Sequence, residues 1–176
     1  TKTNKKIDLL VGFFENANNS DKLWCIALFS GRRPKRLIST GYLRQWACEV
    51  TDLPTWLLED TYSVIGDLAE TISLLTPEKN QFSEKSLTAW ISELIQLEKQ
   101  SIDKKRHFVV NAWATLNKKE CFVFNKLITG GFRLGVSQKL TLRAISKITD
   151  IDEFELSLRL MGNWHPEKIS WNNLII

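Results

Sequence analysis

The chain has 176 residues, of which 43% are hydrophobic and seven are tryptophan, so it can bury a core and is not a disordered polymer. No stretch approaches the roughly 20 apolar residues of a membrane helix, and the N-terminus lacks the apolar segment of a secretory signal. A net charge of +4 is too mild to indicate a nucleic-acid partner by itself. These properties predict a soluble, cytoplasmic protein without a membrane partner.

Apolar residues recur at helical spacing along the whole chain, and no segment alternates as a half-buried strand does. The apolar sets are Ile7, Leu10, Val11 and Phe14; Leu43, Trp46, Ala47 and Val50; Leu87, Trp90, Ile91, Leu94 and Ile95; and Val109, Ala112, Trp113 and Leu116. The candidate N-terminal capping residues are Ser39 or Thr40, Ser86, Asp103, Asn117 and Ser137. We predict an all-α fold of about ten helices, with the Trp and Phe residues of these apolar sets packed in the core.

The residues that could carry metal or thiol chemistry are few and scattered. Cys25, Cys48 and Cys121 are odd in number and lie among apolar residues, which argues against a disulfide framework and predicts buried free thiols. His107 and His165 have no companions at metal-ligand spacing, so we expect no metal site.

The two ends of the chain indicate a piece of a longer protein. The first residue is not Met, and the last residues, 172–176, finish on an apolar run that is expected to pack against another element.

A weak internal repeat appears when the chain is shifted by 98 positions, which aligns Ser39 with Ser137 and residues 50–53 with 148–151. Each copy then consists of a basic turn, a serine cap, an amphipathic helix and a Thr-Asp turn. Chance alignment is the alternative, because caps and apolar spacings recur in every helical protein.

The polar run at residues 78–81, just after Pro77, is the best internal boundary. We therefore interpret residues 1–176 as one helical domain with candidate pseudo-symmetric halves at 1–77 and 82–176.

The most informative stretch is residues 126–139, where a helix ends, a glycine-rich turn follows and Ser137 starts another helix. Glycine lets the backbone approach a bulky anion, and a helix N-terminus offers unpaired N–H groups and a positive dipole end. Arg133 and Lys139 add formal charge, so phosphate is the natural ligand. The alternative is that the two glycines only terminate the helix and that Arg133 is solvated without binding an anion.

An earlier turn places four cations within five residues, Arg32, Arg33, Lys35 and Arg36. Such a cluster is costly without an anion partner. The alternatives are a solvated basic loop and, with no further support, a nuclear-localisation signal. The cations at residues 104–106 are interpreted as a solvated helix face.

Three segments, in order, resemble the N-terminal domain of ATP-dependent DNA ligases. Residues 130–139 (GGFRLGVSQK) are similar to that domain's Leu-Arg-Ile-Gly turn, and residues 62–70 (YSVIGDLAE) to its Gly-Asp-Leu segment. Residues 162–166 (GNWHP) are similar to the stretch that leads into the nucleotidyltransferase domain in bacterial members. The resemblance covers roughly residues 20–166.

The resemblance implies an all-helical domain that binds the minor-groove side of double-stranded or nicked DNA through phosphates and sugars, with little reading of base sequence. The first basic turn lacks the glycine-rich sequence that many family members have at this position. Contact with DNA there is therefore expected from side chains rather than from the backbone. The DNA-binding residues so predicted are Arg32, Arg33, Lys35, Arg36, Gly130, Gly131, Arg133, Gly135, Ser137, Gln138 and Lys139.

The resemblance also implies a ligase parent that uses ATP and Mg²⁺ in DNA repair, replication or recombination, near the nucleoid. Ligases of this family form an adenylate on the lysine of a Lys-x-Asp-Gly motif, which this chain lacks. The nearest string, residues 6–9 (KIDL), lacks the glycine and lies in a predicted amphipathic helix, so we interpret its similarity to the motif as coincidental. We expect the nucleotidyltransferase and OB-fold domains downstream, as partners of a non-catalytic fragment.

Two further readings compete with DNA-backbone binding. A helical scaffold for protein partners would use the basic turns for solubility alone. A helix-turn-helix reader would need an exposed helix rich in base-reading side chains, and the helix after Ser137 offers only Gln138, Lys139 and Arg143. Asp67 and Glu70 are expected to cap a helix or to pair with basic residues rather than to catalyse.

Overall fold

The computed structural model describes residues 2–79, 82–132 and 134–176, and within them it contains eleven α-helices, one 3-10 helix and no strand. The all-α prediction is confirmed. The α-helices are α1 (Lys2–Asn16), α2 (Asn19–Phe29), α3 (Thr40–Thr51), α4 (Thr55–Ile65), α5 (Leu68–Leu75), α6 (Leu87–Gln96), α7 (Ile102–Thr115), α8 (Lys118–Thr129), α9 (Gln138–Thr149), α10 (Glu153–Met161) and α11 (Trp171–Ile175); the 3-10 helix is Leu97–Lys99. No described helix is long and apolar enough to cross a membrane.

Four of the five predicted capping positions begin helices. Ser39, Ser86 and Ser137 cap α3, α6 and α9, and Asn117 forms a full capping box with Glu120 at the start of α8. The prediction for Asp103 is wrong, because Ser101 accepts the hydrogen bond from the Lys104 N–H and begins α7. Asp103 lies within the first turn, where a carboxylate favours the positive end of the helix dipole.

The chain divides into two compact units, residues 1–33 with 133–176, and residues 34–132. These boundaries differ from the candidate halves 1–77 and 82–176. The physical reason is that α1 packs along α9, so the N-terminal helices complete a core with the C-terminal ones. The first unit is therefore discontinuous in sequence.

The first unit contains α1, α2, α9, α10 and α11. Phe14 is fully buried, and its ring stacks on Trp171 with the ring centroids 6.2 Å apart. The apolar C-terminal run forms α11, which buries Trp171, Leu174 and Ile175 against α2 and α10. The expectation that this run packs against another element is confirmed.

The second unit contains α3 to α8, and its closest helix pair is α5 with α8. Trp90, Phe108 and Phe124 form an aromatic cluster with centroid separations of 5.3–5.9 Å. Asn125 is fully buried, and it accepts a hydrogen bond of 2.7 Å from the indole N–H of Trp113. The predicted core placement of Trp113 is confirmed.

The local structure reproduces the features aligned by the 98-position shift. Helices α3 and α9 each have twelve residues, a serine N-cap and an aspartate C-cap in the left-handed conformation. These aspartates, Asp52 (φ 54°) and Asp150 (φ 57°), are the only non-glycine residues with positive φ in the described part of the chain. Each unit thus holds one copy of the serine-capped helix.

The three cysteines are free thiols. Cys25 and Cys121 are buried as predicted, but the prediction is wrong for Cys48, which is half-buried. Cys48 follows the buried Ala47 on α3, and successive helical residues turn away from the buried face.

Candidate phosphate-binding turns

The turn between α8 and α9 depends on glycine at two positions. Gly130 ends α8 with φ 76°, and Gly135 follows with φ 68°, both in the left-handed region that disfavours a side chain. Between them, a Cβ added to Gly131 would meet nothing within 4 Å. The turn therefore presents backbone that a bulky anion could approach closely.

The N-terminus of α9 lies directly after this turn. The Ser137 hydroxyl accepts a hydrogen bond of 3.3 Å from the Leu140 N–H, and the first turn carries no acidic residue. Gln138 and Lys139 are exposed and have no ion pair or side-chain hydrogen bond within the described residues. The positive end of the helix dipole and the Lys139 ammonium therefore both face solvent. Arg133, the remaining predicted cation of this turn, lies outside the described residues.

A cation from α1 joins this turn, and the sequence alone did not identify it. The Lys6 ammonium donates a hydrogen bond of 2.7 Å to the Gly135 carbonyl, across 129 positions of the chain. The packing of α1 along α9 brings the two residues together. Because Lys6 carries no local motif, only this packing reveals it.

We expect Gly135→Ala to lower the free energy of unfolding by about 1–2 kcal/mol, because a side chain strains a left-handed residue. The added Cβ would also lie 3.2 Å from the Lys6 ammonium. Urea unfolding followed by circular dichroism measures the change. Gly131→Ala is the matched control, since its Cβ has open space and its φ is not positive. Equal effects of the two substitutions would contradict a special role for Gly135.

The structure gives Arg32 in the first basic turn partners within its own unit. Its guanidinium donates hydrogen bonds of 2.9 Å and 2.8 Å to the carbonyls of Leu160 and Gly162. It also lies over the Trp164 ring, 4.6 Å from the centroid. These contacts hold the loop after α2 against the end of α10 and leave few N–H groups for a phosphate.

The other three cations of the first basic turn are exposed. Arg33 has no ion pair or hydrogen bond among the described residues. Lys35 pairs with Glu98 at 3.3 Å, but its side chain is 80% exposed, so the pair is weak and easily exchanged for another anion. The Arg36 Nε donates to the nearby Ile38 carbonyl at 3.3 Å.

The first basic turn leads into a second exposed helix N-terminus, that of α3. The Ser39 hydroxyl caps it by accepting from the Tyr42 N–H, and its first turn has no acidic residue. A carboxylate lies in the first turn of α2, α5, α7, α8 and α10, whereas α1, α4, α6 and α11, like α3 and α9, have none there. Helices α3 and α9 therefore leave their positive dipole ends without a local acid.

Comparison with known proteins identifies the family of this chain. The family model described as the DNA ligase N terminus matches residues 1–146. The chain belongs to the DNA ligase N-terminus family. Among curated proteins, no sequence matches the chain. The ligase match includes the first basic turn and the turn between α8 and α9. It ends within α9, so α10 and α11 follow it.

Asp67 of the Gly-Asp-Leu segment has a structural role, as predicted. Asp67 caps α5 by accepting from the Glu70 N–H at 3.0 Å, and its carboxylate pairs with Lys126 of α8. Burial raises the pKa of Asp67, but hydrogen bonds from Lys126 and backbone N–H groups, with the Lys126 charge, bring the pKa below its ordinary value. The carboxylate is thus engaged in holding α5 to α8.

The remaining candidates for chemistry in this ligase domain are its thiols and metal-ligating residues. Burial, together with the nearby Asp21 charge, raises the pKa of Cys25 to about 12, and burial also raises the pKa of Cys121. Both thiols therefore stay protonated near neutral pH and are poor nucleophiles. Within residues 2–79, 82–132 and 134–176, no group of three or more His, Cys, Asp or Glu could hold a metal ion.

Proposed function

We propose that this chain binds double-stranded and nicked DNA through the phosphate backbone, as the N-terminal arm of an ATP-dependent DNA ligase. The observation that carries the proposal is the duplicated helix N-terminus. Helices α3 and α9 each follow a turn rich in cations or glycine, each begins at an exposed serine cap, and neither has an acid in its first turn. One such N-terminus in each unit provides two separate phosphate sites.

The contacts at the α9 site follow from the groups that are free to make them. Backbone N–H groups of the α9 first turn would donate to phosphate oxygens, and the Lys139 ammonium and Gln138 amide lie beside them. A helix N-terminus typically stabilises a nearby anion by about 0.3–1 kcal/mol. Gly135 belongs to this proposed site, with Lys6 as the added cation. Gly131 and Arg133, which are predicted from the sequence, are proposed as further phosphate contacts.

The contacts at the α3 site are proposed to come mainly from side chains. Arg33, Lys35 and Arg36 precede Ser39, and all three are exposed. Arg32 is proposed to contribute less to phosphate binding, because its guanidinium already donates to the Leu160 and Gly162 carbonyls and lies over the Trp164 ring.

Backbone contacts of this kind position a protein on DNA without reading its sequence. Of the three α9 side chains suited to base reading, Arg143 pairs with Glu153 at 3.4 Å, which leaves Gln138 and Lys139. Two polar side chains are too few for a helix-turn-helix reader.

The parent enzyme is proposed to seal nicks in repair, replication or recombination, in the cytoplasm and near the nucleoid. The chain has no Lys-x-Asp-Gly motif, the motif whose lysine carries the adenylate in this family. Both cofactors are therefore assigned to the downstream nucleotidyltransferase and OB-fold domains, and this chain contributes the grip on DNA.

Fluorescence-anisotropy titration of nicked and intact duplexes over a salt series tests the proposal. We expect affinity to fall steeply with salt and to be indifferent to base sequence. Lys139→Glu and Arg133→Glu should each weaken binding to every duplex on the order of tenfold and reduce the logarithmic salt slope by about one. Lys168→Glu is the matched control, because it reverses an exposed lysine of the same unit outside the two turns.

Two results would contradict DNA-backbone binding. Absence of binding even at low salt would favour the protein-interaction scaffold, whose apolar interface need not depend on salt. A change of sequence preference in the Lys139 or Arg133 variant, with the salt slope unchanged, would instead indicate base reading.

A further inference from the structure

Helix α10 exposes an apolar stripe that neither the core nor the phosphate-binding turns use. Phe154, Leu158 and Met161 are spaced by four and three residues, so they share one face of the helix. They are 71%, 54% and 72% exposed. The opposite face is already satisfied, since Leu156 and Leu160 are buried in the core of their unit. An exposed row of three large apolar side chains is unusual on a soluble surface and marks an interaction site.

The internal repeat shows that the fold does not require this stripe. The 98-position shift places Trp56 of α4 at the position of Phe154, and Trp56 is also exposed. The positions of Leu158 and Met161, however, are occupied in α4 by Asp60 and Ser63. The equivalent helix therefore forms with polar residues at those two positions. The complete apolar row is a property of α10 alone.

The surroundings of the stripe are acidic. Glu153 and Glu155 adjoin Phe154 in sequence, and because successive residues lie about 100° apart around a helix, they flank it on opposite sides. Asp150 and Asp152 precede them and are exposed. Two arginines offset part of this charge, Arg143 on Glu153 at 3.4 Å and Arg159 on Glu155 at 2.6 Å. Four carboxylates against two arginines leave the surface negative.

The negative charge around the stripe favours some binding partners over others. DNA is disfavoured, since phosphates would meet uncompensated carboxylates. A second copy of the chain, packed stripe to stripe, would bring the two acidic rims together and is disfavoured for the same reason. An apolar surface bordered by lysine or arginine would bury the stripe and neutralise its rim.

We propose that the α10 stripe is a docking surface for an amphipathic protein helix whose apolar side chains are flanked by lysine or arginine. Such a helix would bury Phe154, Leu158 and Met161 against its own apolar side chains and pair its cations with the acidic rim. The surface is separate from the phosphate-binding turns. The domain would thereby recruit a basic partner protein while it holds DNA.

The test uses the 176-residue chain and two fluorescein-labelled synthetic helices of about 18 residues, long enough to form helix. Both have the same leucine stripe, but one has lysine and the other glutamate at the flanking positions. We expect the lysine peptide to bind on the order of tenfold more tightly than the glutamate peptide. Binding should be lost in the Phe154→Ser/Leu158→Ser variant. Leu9→Ser, which makes the same change at an exposed residue of α1, should leave it unaltered.

A charge exchange provides a second variant whose fold does not depend on the stripe. Glu155→Lys should weaken binding of the lysine peptide and strengthen binding of the glutamate peptide. Equal affinity of the two peptides, or unchanged binding in the serine variant, would overturn the proposal. Sedimentation velocity supplies a further arm, because dimerisation that the serine variant abolishes would assign the stripe to a second copy instead. Duplex binding, measured alongside, should be the same in all these variants, so failure here is distinguishable from failure of the DNA proposal.

Discussion

Replacing Asp67 with alanine is expected to lower the free energy of unfolding by about 3–5 kcal/mol, because it leaves the Lys126 charge buried without its partner. The Lys126 side chain is only 8% exposed, whereas that of Asp67 is 32% exposed. The substitution also removes the cap of α5, which typically contributes about 1 kcal/mol. Urea unfolding at pH 7 measures the total.

Two variants separate the ion pair from the cap. Asp67→Asn retains an oxygen that can accept from the Glu70 N–H, so it should lose mainly the ion pair. Asp60→Ala is the matched control, since it removes an exposed carboxylate of α4 and should change stability by less than about 0.5 kcal/mol. If Asp67→Ala lowered the free energy of unfolding no more than Asp60→Ala does, the Lys126 ammonium would have become solvated without loss of stability.

The pH dependence of this pair has a defined sign. The pKa of Asp67 is lowered in the folded state, so its stabilising contribution is present above the unfolded pKa and is lost as pH falls through the folded value. The difference between the parent and Asp67→Asn should therefore be full at pH 7 and shrink below about pH 4. A difference that grew on acidification would contradict the assignment.

The Asp67–Lys126 pair also connects the Gly-Asp-Leu segment to α8, the helix that precedes the glycine turn. Lys126 lies in the last turn of α8, four residues before Gly130, and Asp67 belongs to the Gly-Asp-Leu segment. By fastening the end of α8 to α5, the pair fixes the point from which the glycine turn departs.

The second large effect is expected at Asn125, which is fully buried. Asn125→Leu should lower the free energy of unfolding by about 2–3 kcal/mol, because the Trp113 indole N–H would lose its acceptor in the core. The Asn125 amide also donates to the Ala69 carbonyl at 3.3 Å, and this bond would be lost as well.

Chemical unfolding of three variants checks this explanation. Asn111→Leu is the matched control, because Asn111 is exposed on α7 and should tolerate the change. Combining Asn125→Leu with Trp113→Phe removes both partners of the hydrogen bond, so the double variant should lose less than the sum of the single losses. Simple additivity would mean that the Trp113 hydrogen bond contributes nothing.

Local chemistry in the sequence determined the helices, their capping residues and the buried faces. Ser39 and Ser137 were identifiable because a serine just before an amphipathic stretch can accept a hydrogen bond from a free N–H group in the first turn of the helix. The repeat was visible for the same reason, since Thr-Asp turns at the ends of α3 and α9 are local features. The sequence analysis named Asp103 as the cap of α7, whereas Ser101 is the cap and Asp103 a first-turn carboxylate, because both residue types favour a helix N-terminus.

Tertiary structure alone decided which cations are free and which helices share a core. Arg32 stood beside three other cations in sequence, yet its partners at Leu160 and Gly162 lie about 130 positions away. Lys6 reaches Gly135 over a similar separation, because α1 packs along α9. Helical periodicity specifies that a face must be buried but not which other face covers it, so long-range partners and unit boundaries emerge only when the helices pack.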